Sequence, residues 1–386
     1  NENGLFYNNG QGWDPIDYSD CSVYSTYSIN CSDGFSGMLD GNNHKIIGLY
    51  INRPNEDIVG LFRNTYNNNF SGLNFKNLIF KDVDITGRNY VGAVIGYAFG
   101  TTYERTLMFE NISVTGNIKG NNYVGGLIGY YKAGTGLPNY LVENTECVSR
   151  HCLDNLYNSA SIKANNYAGG IIGLVETQTY YNITNEKWRS TIKGNNWQNN
   201  GTITSTNNGA GLIGHLVIHN GNMVTITNAI NTDKNSKNPS IINNVECKNT
   251  NDTYPTCSFN LNNIFYTNDI AYQNNDIINA NNVTKYTISE LTNAVIYNSF
   301  TNFNTLYKKE ENKIAFIKNA YTENITTQDI SINSNQNVNV YDYINGGNKN
   351  IVYSIENNTI ASIDNSGNII PLENGTTKIN IISYYD

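Results

Sequence analysis

The chain has 386 residues, 39% of them hydrophobic and 15% charged, with a formal net charge of −8. That length accommodates an extended array plus one small domain, and the hydrophobic content is compatible with ordered structure. An acidic balance without basic clusters excludes a nucleic-acid partner on electrostatic grounds, and no apolar run reaches the ~18 residues of a membrane span. Asn is abundant, yet apolar periodicity persists through the Asn-rich tracts, so Asn reads as turn and corner chemistry. The chain opens at Asn1 without Met or signal peptide, and is expected to be a mature or excised piece whose anchor lies outside it.

In chain order, Trp13-Asp14-Pro15-Ile16 and Phe35-Ser36-Gly37-Met38-Leu39-Asp40-Gly41-Asn42-Asn43-His44-Lys45-Ile46 precede a short apolar phrase, Ile58-Val59-Gly60-Leu61-Phe62. The phrase returns in full as Tyr90-Val91-Gly92-Ala93-Val94-Ile95-Gly96 and Tyr123-Val124-Gly125-Gly126-Leu127-Ile128-Gly129. Two further copies are Tyr167-Ala168-Gly169-Gly170-Ile171-Ile172-Gly173 and Asn208-Gly209-Ala210-Gly211-Leu212-Ile213-Gly214. Successive full copies begin 33, 44 and 41 residues apart, a period that marks solenoids or arrays. Each unit has an apolar face too small to exclude water alone, so units must stack.

Between copies run short alternating segments such as Phe75 to Phe80, Val83 to Gly87 and Ile112 to Gly120, bounded by Gly and Asn, which is the strand signal. The Gly pairs in the phrase predict close approach of neighbouring coils. Beyond an aromatic run from Tyr297 to Tyr307, the stretches 338–340, 351–355, 360–364, 367–372 and 377–381 read as short strands of a small β-sandwich.

These residues resemble the GLUG repeat of large bacterial surface adhesins and some surface proteases. The resemblance runs from Trp13 to about residue 320, with 35–46 similar to an opening coil and Ile288-Ser289-Glu290-Leu291 plus the aromatic run similar to a closing segment. It implies an all-β fold, a parallel β-solenoid over residues 1–321, which the handedness of parallel crossovers makes right-handed. The Ile360-to-Asp364 strand, Ser366-Gly367 and Gly375-Thr376-Thr377 are similar to group 2 bacterial Ig-like domains, assigned to 322–386.

Six cysteines form three close couples, Cys21 with Cys31, Cys147 with Cys152 and Cys247 with Cys257. The sequence does not choose among connectivities. Local pairing is the economical expectation, because each couple sits in a polar insertion that a disulfide would staple, and bridges place the protein outside the cytoplasm.

Candidate chemistry is thin. His215-Leu216-Val217-Ile218-His219 has two His four apart, but Leu216 stands where a zinc protease needs its Glu, and the segment reads as a strand with both His on one face. The resemblance makes that departure important, since surface proteases that cleave immunoglobulin A carry such repeats upstream of a genuine zinc motif. Cys147, His151 and Cys152 have irregular ligand spacing, so a disulfide loop is the better reading. Asn231-Thr232-Asp233 is similar to the first motif of solenoid pectin hydrolases, but no adjacent Asp pair accompanies it, and Asp40 reads as a turn-former. No catalytic residue, metal or cofactor is expected.

Among 29 tyrosines, Tyr90, Tyr123 and Tyr167 recur in register and read as structural. Tyr130, Tyr131, Tyr180 and Tyr181 sit where the phrase hands over to insertions, and are the expected ligand-binding residues. The expected function is a non-enzymatic surface adhesin presenting insertions around 130–160, 174–200 and 230–285 to a host or community glycan or matrix protein. A structural subunit or spacer, pairing through solenoid ends with copies of itself, is the alternative. A non-catalytic arm of a secreted protease or glycan-active enzyme is the third.

Overall fold

The computed structural model describes residues 7–16, 21–65, 73–100, 107–134, 137–138, 151–181, 187–219, 221–233, 235, 238–248, 257–273, 276–300, 303, 307–309, 314–317, 331–333, 336, 338–343, 351–364 and 367–383. The chain divides into two compact units, Asn1–Ala320 and Tyr321–Asp386.

The first unit is a parallel β-solenoid. Its coils span 38–64, 73–99, 107–132, 151–176, 191–219, 223–248 and 258–272, and a last strand covers Ile278–Lys285. Each full coil passes through three sheets, which hold 12, 4 and 6 strands. Registers are in step from coil to coil: Phe109 pairs Phe75, Val124 pairs Val91, and Ile128 pairs Ile95 on one side and Ile172 on the other. The apolar phrase thus supplies the four-stranded sheet, a glycine corner and the start of the six-stranded sheet. Side chains alternate along each strand, so inward positions such as Phe75, Val91 and Ile95 form one buried core.

The expected close approach of coils is present. A Cβ added to Gly129 would lie 2.4 Å from the Tyr90 carbonyl carbon of the preceding coil. Side-chain volume is also traded between columns. Gly194 stands in the column otherwise held by Phe75, Phe109 and Leu153, and the Trp197 ring fills the space it leaves. The Trp197 indole donates to the Leu153 carbonyl at 2.7 Å.

Asparagine does two jobs. Asn77, Asn111, Asn155, Asn196, Asn228, Asn263 and Asn282 all have φ between 53° and 58° and bend the strands they sit in, a conformation Asn tolerates better than most residues. Amides then bond from coil to coil: Asn111 donates to Asn77 at 3.0 Å, and Asn282 to Asn263 at 2.9 Å. A second row is fully interior. Asn158 donates to Asn199 and Asn199 to Asn231, both at 2.8 Å, and Asn231 donates to Asn268 at 3.1 Å.

The aromatic run follows the last coil strand and packs against the solenoid. Phe265 meets Tyr286, Tyr297 and Phe300, while the Gln198 amide donates to the Ala315 carbonyl and the Tyr307 hydroxyl to that of Asn228. The segment therefore runs back along the outside of the long sheet, because the outward column there is apolar at Ile230 and Phe265. Ile278–Lys285 forms the edge of that sheet.

In the second unit, Val338–Asn339, Asn368–Pro371 and Ala361–Ile363 form one antiparallel sheet, and Ile351–Ile355 with Ile379–Ser383 another. Val338, Val340, Ala361 and Ile369 form its core, with Ile355 and Ile379 packed against them.

One position in the solenoid carries a mismatch. Asp154 pairs Glu110 in register and accepts from the Asn195 amide at 2.7 Å. Burial, with Glu110 adding to it against the Asn195 bond, pushes its carboxyl from 3.8 up to about 6. A raised carboxyl favours the fold fully below its unfolded pKa and loses that contribution as pH rises through about 6. Asp154→Asn should therefore raise stability at pH 7–8 by roughly 1–3 kcal/mol, with little effect near pH 4. Urea melts at the two pH values check this.

Candidate functional site

The outward face beside the phrase carries an aromatic column. Tyr90, Tyr123 and Tyr167 have φ of 57°, 56° and 52°, an unfavourable conformation for an aromatic residue. Their rings stack at 5.4 Å and 4.9 Å, tilted 7° and 1°, so packing between coils offsets the backbone strain. The next copy begins with Asn208, and His215 takes the stacking place instead, 4.7 Å from Tyr167. Burial pushes the His215 imidazole down, and the Glu246 carboxylate, 3.0 Å from its Nε2, opposes that shift.

On the adjoining sheet, Tyr97, Tyr130, Leu174, His215 and Asn244 are in register. Next to them lie Lys132 and Glu176, paired across neighbouring coils with a 3.3 Å contact. The buried Glu176 carboxylate also accepts from the Tyr130 hydroxyl and meets His219 Nε2 at 2.9 Å. Burial alone would raise its pKa, but the His219 bond, the Lys132 charge and the Tyr130 hydroxyl outweigh it and hold the carboxyl below 4.5.

A hairpin lies over this face. Cys21–Ser25 pairs antiparallel with Ser28–Cys31, and a Cys21–Cys31 disulfide closes it. Its tip carbonyls are held by the solenoid: the Tyr90 hydroxyl donates to Thr26 at 3.0 Å and Lys132 Nζ to Tyr27 at 3.0 Å. The Tyr27 ring lies under Lys248 Nζ, 3.5 Å from its centroid, and edge-on to His215. Aromatic and basic groups from the second, third, fifth and sixth coils thus converge on two tip residues.

No protein-family model matches the chain. Over 112 residues, 29% of its length, it is 30% identical to halomucin from Haloquadratum walsbyi, and the match spans 1% of that protein. A solved Bacteroides ovatus structure, provisionally named an immunoglobulin A1 protease, aligns over 72% of this chain and 76% of its own. That alignment has 16% identity and a TM-score of 0.42.

The sequence-predicted residues fare unequally. Tyr130 and Tyr131 are both 0% exposed, which corrects their reading as ligand-contacting. They continue the strand Ile128–Lys132, so one ring points out beneath the hairpin while the other points into the solenoid core. The Tyr131 hydroxyl donates to the Leu107 carbonyl at 3.2 Å. Tyr180 and Tyr181 lie in Thr179–Tyr181, whose backbone pairs antiparallel with Lys187–Arg189, which in turn pairs with Leu137–Pro138. The insertions after the third and fourth coils thereby build a small sheet separate from the solenoid sheets.

Much of the three predicted insertion ranges is coil strand, such as His151–Asn158, Thr191–Asn199 and Ser258–Tyr266, and 139–150, 182–186 and 249–256 lie outside the described residues. The expected local pairing is present at Cys21–Cys31 and Cys247–Cys257; the second closes the stretch between the end of one coil and the start of the next, whereas Cys21–Cys31 lies ahead of the repeats. Cys152 is disulfide-bonded, and Cys147 lies outside the described residues. His215 and His219 share a strand face as read. His151 is buried, bonded to the Gly134 carbonyl and pushed down to about 4 by burial. Asp233 is a turn carboxylate taking the Ile203 and Asn235 amides, and Asp40 takes the Asn42 amide.

Among the described residues no three His, Cys, Asp or Glu side chains come together as a metal-holding group, and no helix is long and apolar enough to cross a membrane. Sequence reasoning missed Tyr27, Lys132, Glu176 and Lys248. One signal was present: Lys132 and Glu176 follow their phrases at equal distance, which stacks opposite charges.

A depressed carboxyl stabilises above its unfolded pKa and loses that contribution as pH falls through its folded value. Glu176→Gln should cost roughly 2–4 kcal/mol at pH 7. The gap from wild type should narrow as pH falls below 4.5 and close once pH has passed the lower folded value at which wild-type Glu176 is itself neutralised. Thermal melts from pH 7 to 3 provide the check.

Proposed function

We propose that this chain belongs to a non-enzymatic extracellular surface protein, an adhesin built on GLUG-like coils with a group 2 bacterial Ig-like second unit. The observation that carries the reading is the insertion sheet of Leu137–Pro138, Thr179–Tyr181 and Lys187–Arg189. A rigid coil that commits two insertions to a separate sheet has the plan of a scaffold with a presented binding element. Disulfides at Cys21–Cys31 and Cys247–Cys257 support an oxidising, extracellular location, as does the likeness to halomucin. The ligand class is a glycan or matrix protein, and Tyr180 and Tyr181 are its contacts.

A structural spacer or filament subunit is the second reading. It is favoured by Ile278–Lys285 at the edge of the long sheet, where another strand could add.

The oxidised chain, applied to a combined glycan and matrix-protein array, should bind a defined ligand saturably. Tyr180→Ala with Tyr181→Ala should weaken that binding at least tenfold without shifting the melting temperature. Absence of binding by folded protein would move the assignment to the spacer.

A further inference from the structure

We propose that the trough beneath the hairpin is a peptide-docking site, and that on self-association its occupant is the hairpin tip of a second copy of this chain. The trough already demonstrates what it recognises. It takes two consecutive turn carbonyls, Thr26 on the Tyr90 hydroxyl and Tyr27 on Lys132, plus one aromatic ring between Lys248 and His215. That is a reader of an aromatic β-turn, whose flanking Ile29 and Cys21–Cys31 bridge pack against the same aromatic face.

The hairpin is suited to leave. Its disulfide lies within itself, so the turn keeps its shape away from the solenoid. Ser22, Val23, Tyr24 and Ser25 are exposed, Tyr24 at 72%, so the tip supplies the polar attachment, while Cys21, Ile29 and Cys31 add apolar packing against the aromatic face. The root is distant from that attachment: Phe35 bridges Thr65 in the first coil, whereas Tyr27 meets groups in the third, fifth and sixth. With coils about 4.8 Å apart, the tip reaches roughly 10–25 Å along the axis.

An emptied trough leaves the Tyr90 hydroxyl without its acceptor and Lys248 without its ring. The hairpin of another copy restores every one of these contacts by identity. Exchange of an identical element adds little new chemistry, so protein concentration sets the balance between the internal and exchanged forms.

Complementation with full-length chains tests this. Tyr27→Ala supplies an acceptor whose own tip no longer holds the trough. Lys132→Ala with Lys248→Ala supplies a donor with an intact hairpin and a spoiled trough. Each should be monomeric alone by light scattering, and mixing should give a 1:1 complex. Adding Tyr27→Ala to the donor should weaken that complex at least tenfold. If the double variant fails to fold, Lys248→Ala alone serves as donor, since its described role is the Tyr27 ring. A disulfide-closed peptide of residues 21–31 should also bind the Tyr27→Ala chain more tightly than wild type, whose own hairpin competes. A monomeric mixture of folded variants, or a peptide that ignores the Tyr27→Ala chain, would overturn the proposal and leave the hairpin as an internal strap.

Discussion

An interior amide that hydrogen-bonds to its own counterpart one coil away is the interaction on which this solenoid depends. Asn158, Asn199, Asn231 and Asn268 lie inside, almost without exposure, where an unpaired amide would carry its full desolvation penalty. The bond from one to the next forms only if the neighbour sits at the same point of the next coil. The Asn158 and Asn199 carbonyl oxygens additionally hold local amides, those of Ala160 and Gly201. The row therefore fixes the corner and the register together, and a slip of one residue would break every amide bond between coils along it. The outer row at Asn77, Asn111 and their successors repeats the arrangement at positions of positive φ.

Stacking coils in register also brings like residues together, and the aromatic and charged columns show both consequences. Tyrosines tolerate it, because ring stacking gains from repetition. Carboxylates do not. Asp154 is pushed up by burial with Glu110 adding to it, whereas Glu176, also buried, is matched with His219 and Lys132 and held down. The difference lies in what the adjacent coils supply, not in how deeply each group is buried.

The coils were legible because the apolar phrase recurs with its glycines in place, and a corner that admits no Cβ marks its own position. The tyrosines that open the phrase were legible for the same reason. Tyr130 and Tyr131 were not, since a doublet at the end of a phrase looks alike whether the strand continues or a loop begins. Asparagine was read as corner chemistry, which accounts for the positive φ values but not for the bonds between side chains one coil apart. The site beneath the hairpin was hidden more deeply. Tyr27 and Lys248 meet across most of the chain, and the Cys21–Cys31 spacing spoke only of a local bridge. Volume trading between Gly194 and Trp197 was equally invisible, because neither residue departs from its local pattern.

The most direct measurement is the thermal stability of Asn199→Ala beside Asn282→Ala at neutral pH. Asn199 is buried mid-row with an amide partner on either side, whereas Asn282 is exposed in the last strand. The account predicts a loss of roughly 2–4 kcal/mol for the first and less than about 1 kcal/mol for the second. Equal, small losses in both would mean that the apolar core alone sets the coil register, and would contradict the central role given to the amide row.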